Sequence, residues 1–381
     1  MTAGGAAVEG TVAAGYEQVR TAFAANLSVR GDGGCALAAV VDGELVVDLW
    51  GGTADPATGA AWRPGTSAGV FSGTKGIVAT LLLLLVDRGR LDPTRPVATY
   101  WPEFAVAGKE QVTVACMLGH GAGLPSVSQQ LTFDDLRRPE WLAAELAAQA
   151  PMFPPCQPCY HAITWGWLAG ELLHRVDGRS TGRMLAEELA GPFGLELAIG
   201  CGRAHPLAAD RALLRPAPGY QLSAFLDPDH DPRLQGVYGN PPLGPPTWND
   251  PVMLDLEIPS ANALATARGL AGLYGALVRE AQPLVRAETL ALGRSEATRG
   301  DDPLSGRPLR FGPTGFELAG TPSALGPAAD GFGHTGSGGS SHGAWPALRT
   351  GFSFVTADLR PEPTDGRAAA LLDALHAAVA R

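Results

Sequence analysis

Phe71-Ser72-Gly73-Thr74-Lys75-Gly76-Ile77-Val78-Ala79-Thr80-Leu81-Leu82-Leu83-Leu84-Leu85-Val86 sets a serine three residues before one of the chain's two lysines, at the head of a long apolar run. The run closes in Asp87-Arg88-Gly89 and reads as a buried helix over 76–89 that ends at a glycine. Ser72 then lies at the helix N-terminus and Lys75 one turn on, on the same face. Arginine supplies the other 26 of the 28 basic residues. A lysine kept against that bias points to a property arginine lacks: a desolvated amine can lose its proton, a guanidinium cannot. Ser72 and Lys75 therefore read as a nucleophile and its base, with free N–H groups at the helix start available to an oxyanion. The competing reading makes Ser72 an N-cap and Lys75 a solvated first-turn residue, although a lysine is a poor choice near a helix's positive end.

The surrounding composition is that of an ordered globular protein. Of 381 residues, 45% are hydrophobic and 17% charged, enough to bury a large core and to build two domains. A formal charge of −10 opposes nonspecific binding to nucleic acid or anionic membranes. The first residues show neither a basic nor an apolar leader, and the leucine run is too short to cross a bilayer, so a cytoplasmic location is expected. Five cysteines without framework spacing agree with a reducing compartment. Cys156-Gln157-Pro158-Cys159 admits three readings: structural thiols, a local disulfide or redox pair, or half of a metal site that lacks its other ligands. Asp227-Pro228-Asp229-His230-Asp231 reads as a solvated turn before it reads as a metal site. No metal or cofactor is expected.

Helical patterns occupy 11–26, 132–149, 162–176, 182–190, 261–279 and 365–380, with strands at 34–51 around the turn Val41-Asp42-Gly43-Glu44 and again at about 308–318, 331–337 and 350–358. Residues 202–258 are proline-rich and read as irregular loops able to shape a pocket. Strands at both ends around a helical middle predict an α/β protein: an antiparallel sheet flanked by helices, built from 1–70 and 285–381, with a mainly helical unit inserted at 71–284. The cleft between them is the expected active site.

Two further segments complete a constellation. Tyr160, in Tyr160-His161-Ala162, opens the helix at 162–176, and its phenol can relay a proton if the charge of Lys75 lowers its pKa; alone it reads as a half-buried aromatic. Gly331-Phe332-Gly333-His334-Thr335-Gly336-Ser337-Gly338-Gly339-Ser340 carries glycine at a density that lets a ligand approach the backbone. His334 and Thr335 could contact a substrate carbonyl or carboxylate there, and the Ser337 N–H could face Ser72; a glycine-rich hairpin without a ligand is the alternative. Ser72-x-x-Lys75, Tyr160-His161-Ala162 and His334-Thr335-Gly336, in this order, resemble the serine β-lactamase superfamily, above all the class C β-lactamase-like family VIII carboxylesterases. Leu118-Gly119-His120-Gly121-Ala122-Gly123-Leu124-Pro125 is similar to a further family stretch, so the resemblance spans nearly the whole chain.

The resemblance implies the β-lactamase/penicillin-binding-protein fold. It implies that Ser72 is acylated, that Lys75 is its base partner, that Tyr160 shuttles the proton and that the N–H groups of Ser72 and Ser337 form the oxyanion hole. His334, Thr335, Gly336, His161 and Trp345 make up the expected substrate-binding set. Ala162 and His334 stand where β-lactamases carry asparagine and lysine, and Ser341-His342-Gly343-Ala344-Trp345-Pro346-Ala347 departs from the esterases. An ester is therefore the expected substrate and weak or absent lactamase activity the expected corollary. Transfer of the acyl group to an amine or alcohol is the first alternative, β-lactam or D-amino-acid peptide chemistry the next, and a noncatalytic binding protein the last. Gly65-Thr66-Ser67-Ala68-Gly69 matches a different nucleophile motif and nominates Ser67, but Trp62-Arg63-Pro64 before it makes a poor strand.

Overall fold

The computed structural model describes residues 7–220, 231–243, 245–320, 323–361 and 365–381. Strand β1 (Val8–Val12), helix α1 (Glu17–Ser28) and strands β2 (Gly34–Val41) and β3 (Glu44–Asp55) open the chain. The pattern at 11–26 thus divides into a strand end and a helix. Val8, Gly10 and Val12 alternate along β3, and the chain turns through Gly15 at φ +91° before α1 begins. After the central segment come β4 (Thr298–Asp301), β5 (Pro308–Phe311), β6 (Glu317–Leu318), β7 (Phe332–Gly336), β8 (Ser340–Trp345) and β9 (Thr350–Thr356), then helix α6 (Arg367–Val379).

These strands join in one antiparallel sheet in the order β1-β3-β2-β9-β8-β7-β6-β5-β4, with the short strand Ala60–Ala61 paired to β3. The two termini therefore meet at the middle of the sheet, where β2 pairs β9 from Thr350 opposite Val41 to Thr356 opposite Cys35. The period of two sorts β2 between two cores. Cys35, Leu37 and Ala39 join Val19, Phe23, Leu371 and Leu375 of α1 and α6, whereas Ala36, Ala38 and Val40 join the larger core on the opposite face.

That larger core is organised by helix α2 (Gly73–Asp87), buried at every residue from Gly73 to Leu85. An all-round apolar helix must sit inside the protein, and each fully buried leucine contributes about 1.5–3 kcal/mol. Helix α3 (Pro139–Ala148) packs on α4 (Thr164–Asp177), which in turn touches α2, and α5 (Ala267–Val278) sets Tyr274 against Gly76 of α2. Helix α5 lies on β2 and β9, and α2 touches β7 and β8. Both helices fall within 71–284, the stretch expected to form the helical unit, yet they pack directly on the sheet. No helix among the described residues is long and apolar enough to cross a membrane.

Candidate active site

Ser72 occupies the N-cap position of α2, but its hydroxyl makes no capping hydrogen bond. The preceding residue, Phe71, holds φ +45°, a conformation uncommon for a side chain of that size. Lys75 is fully buried, not solvated. Its Nζ lies 2.8 Å from Ala162 O, 3.1 Å from Ser260 O and 3.3 Å from Ser72 Oγ. Burial holds its pKa well below the ordinary lysine range. A neutral amine has two N–H donors and one lone pair, so the two carbonyls can take both donors and leave the lone pair for the Ser72 proton. The carbonyls reach Lys75 because Gly166 on α4 leaves no space for a Cβ, which would stand 2.6 Å from Ser260 N. Ser260 Oγ ties the two segments together by donating to Ile163 O at 2.8 Å.

Tyr160 OH donates to Ser72 Oγ at 2.8 Å, and Lys75 Nζ stands 5.1 Å from the centre of the phenol ring. The ring stacks on His120, 4.7 Å between centroids, and His120 in turn packs against Phe311. His120 is held at φ +65° and accepts the His161 N–H on Nδ1. His161 is fully buried, accepts the Leu124 N–H on Nε2 and has Nδ1 2.5 Å from Cys159 O. Those partners assign an Nδ1–H tautomer, and burial pushes the His161 pKa down to about 4. His161 thus braces the segment that carries Tyr160 and lines no part of the cleft. The cysteine pairing also differs from the local Cys156–Cys159 alternative: Cys156 bonds to Cys116, with Cα atoms 5.3 Å apart, and Cys159 is a free buried thiol. This bridge fastens the chain before Tyr160 to the segment before His120.

Strand β7 forms the opposite wall. His334 is buried, with Nδ1 2.8 Å from Thr335 O, a contact that only an N–H can satisfy, and burial pushes its pKa down to about 4. Thr335 donates its N–H and its hydroxyl to Glu317 Oε2, each at 3.0 Å. Gly336 packs so closely on the chain before Ser72 that a Cβ would stand 2.4 Å from Val70 O. The following turn bears Ser337, whose Oγ accepts from Tyr220 OH at 2.8 Å. From behind, fully buried Arg367 bonds Gly338 O at 2.9 Å while paired with Asp32 and Asp365. No internal acceptor among the described residues takes the backbone N–H of Ser72 or Ser337. Trp345 requires a correction. It lies three residues past His342 on β8, hence on the other face of the sheet, buried against Phe352 and His376 with Nε1 bonded to Leu325 O.

Ser72, Tyr160, His334, Thr335 and Ser337 all border one cleft of about 690 Å³. Apolar Phe71, Ile163 and Trp248 line the cleft with Ser72, and residues of the β4–β5 hairpin line it too, with Phe311 6.3 Å from the Tyr160 ring. A β-lactamase family profile matches residues 21–377. The chain belongs to the β-lactamase family. Within that family it is 34% identical to the esterase/β-lactamase LipL of Mycobacterium tuberculosis over 358 residues, 88% of this chain and 79% of LipL. Among solved structures, a family VIII carboxylesterase matches with 34% identity and a TM-score of 0.89, covering 98% of this chain and 100% of that one. A penicillin-binding protein homologue from Caulobacter crescentus matches with 34% identity and a TM-score of 0.87 over the same shares. The fold is that of this β-lactamase family, an antiparallel sheet with flanking helices.

Several neighbours of the site had not been singled out from the sequence. Ser260, Ile163, Trp248, Phe311 and Glu317 carry no motif, and His120 had figured only within a similar stretch. Ser67 is fully buried with Oγ donating to Leu207 O at 2.7 Å, so it presents no nucleophile to solvent. Residues 227–230 of the Asp-Pro-Asp-His-Asp turn lie outside the described residues. Among the described residues no group of three or more His, Cys, Asp or Glu side chains is arranged to hold a metal ion.

Proposed function

We propose that this chain is a serine esterase that cleaves small-molecule carboxylic esters through an acyl-Ser72 intermediate. The observation that carries the reading is Lys75: a buried amine with two carbonyl acceptors and one serine hydroxyl in reach, and no carboxylate among the described residues paired with it. Lys75, directly or through Tyr160, takes the Ser72 proton as Oγ attacks the ester carbonyl. The N–H groups of Ser72 and Ser337 receive the developing oxyanion. Tyr160, 2.8 Å from Ser72 Oγ, hands a proton to the departing alkoxide. Water then enters, loses its proton to the same relay and releases the acid, so that ester and water become acid and alcohol.

The same acyl-enzyme can be resolved by an alcohol or amine, and a cleft of about 690 Å³ has room for such an acceptor beside a small acyl group. β-Lactam chemistry has less support, because a neutral His334 and Ala162 offer little to grip a charged amide-bearing drug. The test is a brief incubation with p-nitrophenyl butyrate, an acid quench and peptide mapping, with added alcohol in a parallel reaction to read the partition. Butyryl mass on the Ser72 peptide, lost together with turnover in Ser72→Ala, is expected. Turnover that survives Ser72→Ala in folded protein refutes the mechanism.

A further inference from the structure

Among the described residues Glu317 is the one carboxylate hydrogen-bonded to the β7 wall, and no motif announces it. Its Oε2 takes both donors that Thr335 could offer a ligand, the N–H and the hydroxyl, and stands 3.7 Å from His334 Nδ1. The side chain is not sealed in: it keeps 26% of its surface exposed and borders the cleft with Ser72. The path to the nucleophile is short. The His334 ring lies 6.4 Å from the Tyr160 ring, and Tyr160 OH reaches Ser72 Oγ. On β7 itself no cation among the described residues offsets this charge: His334 is buried and has its Nδ1 hydrogen committed to Thr335 O. Arg299, Arg307 and Arg310 of the β4–β5 hairpin also border the cleft; Arg299 and Arg310 share Glu296, and Arg307 is near enough to His334 to oppose its protonation.

We infer that Glu317 is a specificity-determining residue that makes the cleft select esters whose limb along β7 is neutral or cationic and reject those bearing a carboxylate there. This rests on the reading of Ser72 as the acylated nucleophile. A substrate carboxylate laid on β7 would find Thr335's donors occupied and a like charge beside it; an ammonium group would find a partner. Two unit charges several ångströms apart at a partly exposed site differ in interaction enough to change relative rates by about tenfold in each direction.

The experiment uses phenyl acetates substituted at the meta position with carboxylate, methyl or trimethylammonium, and p-nitrophenyl esters of butyric and succinic acid, so that either limb can carry the charge. For the wild-type chain, kcat/KM values divided by alkaline hydrolysis rates should either rank cation, neutral, anion across the phenyl acetates, the extremes differing by roughly a hundredfold, or place butyrate about tenfold above succinate on the acyl limb. Glu317→Gln retains a carbonyl for Thr335 and should compress that span by about tenfold. Thr335→Val removes one hydrogen bond but no charge and should keep the order. The methyl compound is each variant's own reference, so loss of overall rate does not blur the result. A flat wild-type series on both limbs, or a span unchanged in folded Glu317→Gln, overturns the inference. Ser72→Ala run alongside separates the two readings: residual turnover there refutes the acyl-serine mechanism, whereas an inactive Ser72→Ala with a flat series refutes Glu317 selection alone.

Discussion

Gly76→Ala tests how α2, the helix that follows Ser72, is seated on the rest of the core. In α2 an alanine should gain about 1 kcal/mol over glycine from helix propensity alone. The structure reverses that sign. A Cβ at position 76 would stand 2.0 Å from Tyr274 Oη, 3.3 Å from Tyr274 Cζ and 3.4 Å from His334 Cβ. Tyr274 is fully buried on α5, so the ring cannot swing into solvent. Overpacking of this kind costs about 1–3 kcal/mol and sometimes more; an approach of 2.0 Å to the hydroxyl of a buried ring belongs at the upper end, so that subtracting the gain of about 1 kcal/mol leaves a net loss of about 2 kcal/mol. Tyr274→Phe removes the offending atom, and because Tyr274 Oη has no hydrogen-bond partner among the described residues, that change alone should lie close to neutral. In the double variant the nearest obstacle is the ring carbon at 3.3 Å, which needs only a few tenths of an ångström of relaxation. Gly76→Ala should therefore be rescued by Tyr274→Phe, with a coupling of about 2 kcal/mol in a double-mutant cycle. The assay is thermal unfolding of all four chains. For 381 residues the unfolding entropy is about 0.8 kcal/mol/K, so 2 kcal/mol corresponds to a Tm shift of about 2–3 °C. A Gly76→Ala chain as stable as wild type, or a double variant no better than Gly76→Ala, would refute the packing argument.

Lys75→Arg keeps the positive charge but cannot give up its proton, so kcat for p-nitrophenyl butyrate should fall by about 10²-fold or more; a rate within threefold of wild type rules out the neutral-amine role. Burial pushes His334 down to about 4 and His342 to about 3, so below pH 6.5 the unfolded chain takes up protons that the folded chain refuses. Stability should thus fall as the pH drops from about 6.5 toward 4, by up to about 1.4 kcal/mol per pH unit per histidine, and His342→Asn should flatten the dependence of Tm on pH. Nonreducing peptide mapping should recover Cys116 joined to Cys156, and Cys116→Ser with Cys156→Ser should cost about 3–4 kcal/mol for a 40-residue loop, read by denaturant unfolding.

The parts legible in the sequence are those whose chemistry is local. Ser72 and Lys75 stand one helical turn apart, and α2 announces its burial by being apolar on every side. The scarcity of lysine points to Lys75; the chain's other lysine, Lys109, is also buried and donates to two carbonyls, Val106 O and Gln149 O, but no hydroxyl among the described residues completes its set. Illegible were the groups that reach the site by tertiary packing. Ser260 contributes a backbone carbonyl, which no side-chain motif can signal, and Glu317 arrives by strand pairing opposite Gly333. Strand β8 escaped notice because Ser340-Ser341-His342-Gly343 has little intrinsic strand preference; its neighbours on both sides impose the conformation. Trp345 was misplaced for a related reason, since its face follows from the parity of a strand not foreseen.

Lys75 Nζ is also a three-way junction. One amine joins the helix of the nucleophile to the chain at Ala162 and to the chain at Ser260, two segments far apart in sequence. On the proposed mechanism catalysis and local cohesion therefore share one switch point: any partial opening that draws either segment away strips the amine of an acceptor, lets water in and restores its charge. Activity should vanish in such locally open states while most of the sheet remains intact, which makes turnover under mild denaturant a direct gauge of how often this junction comes apart.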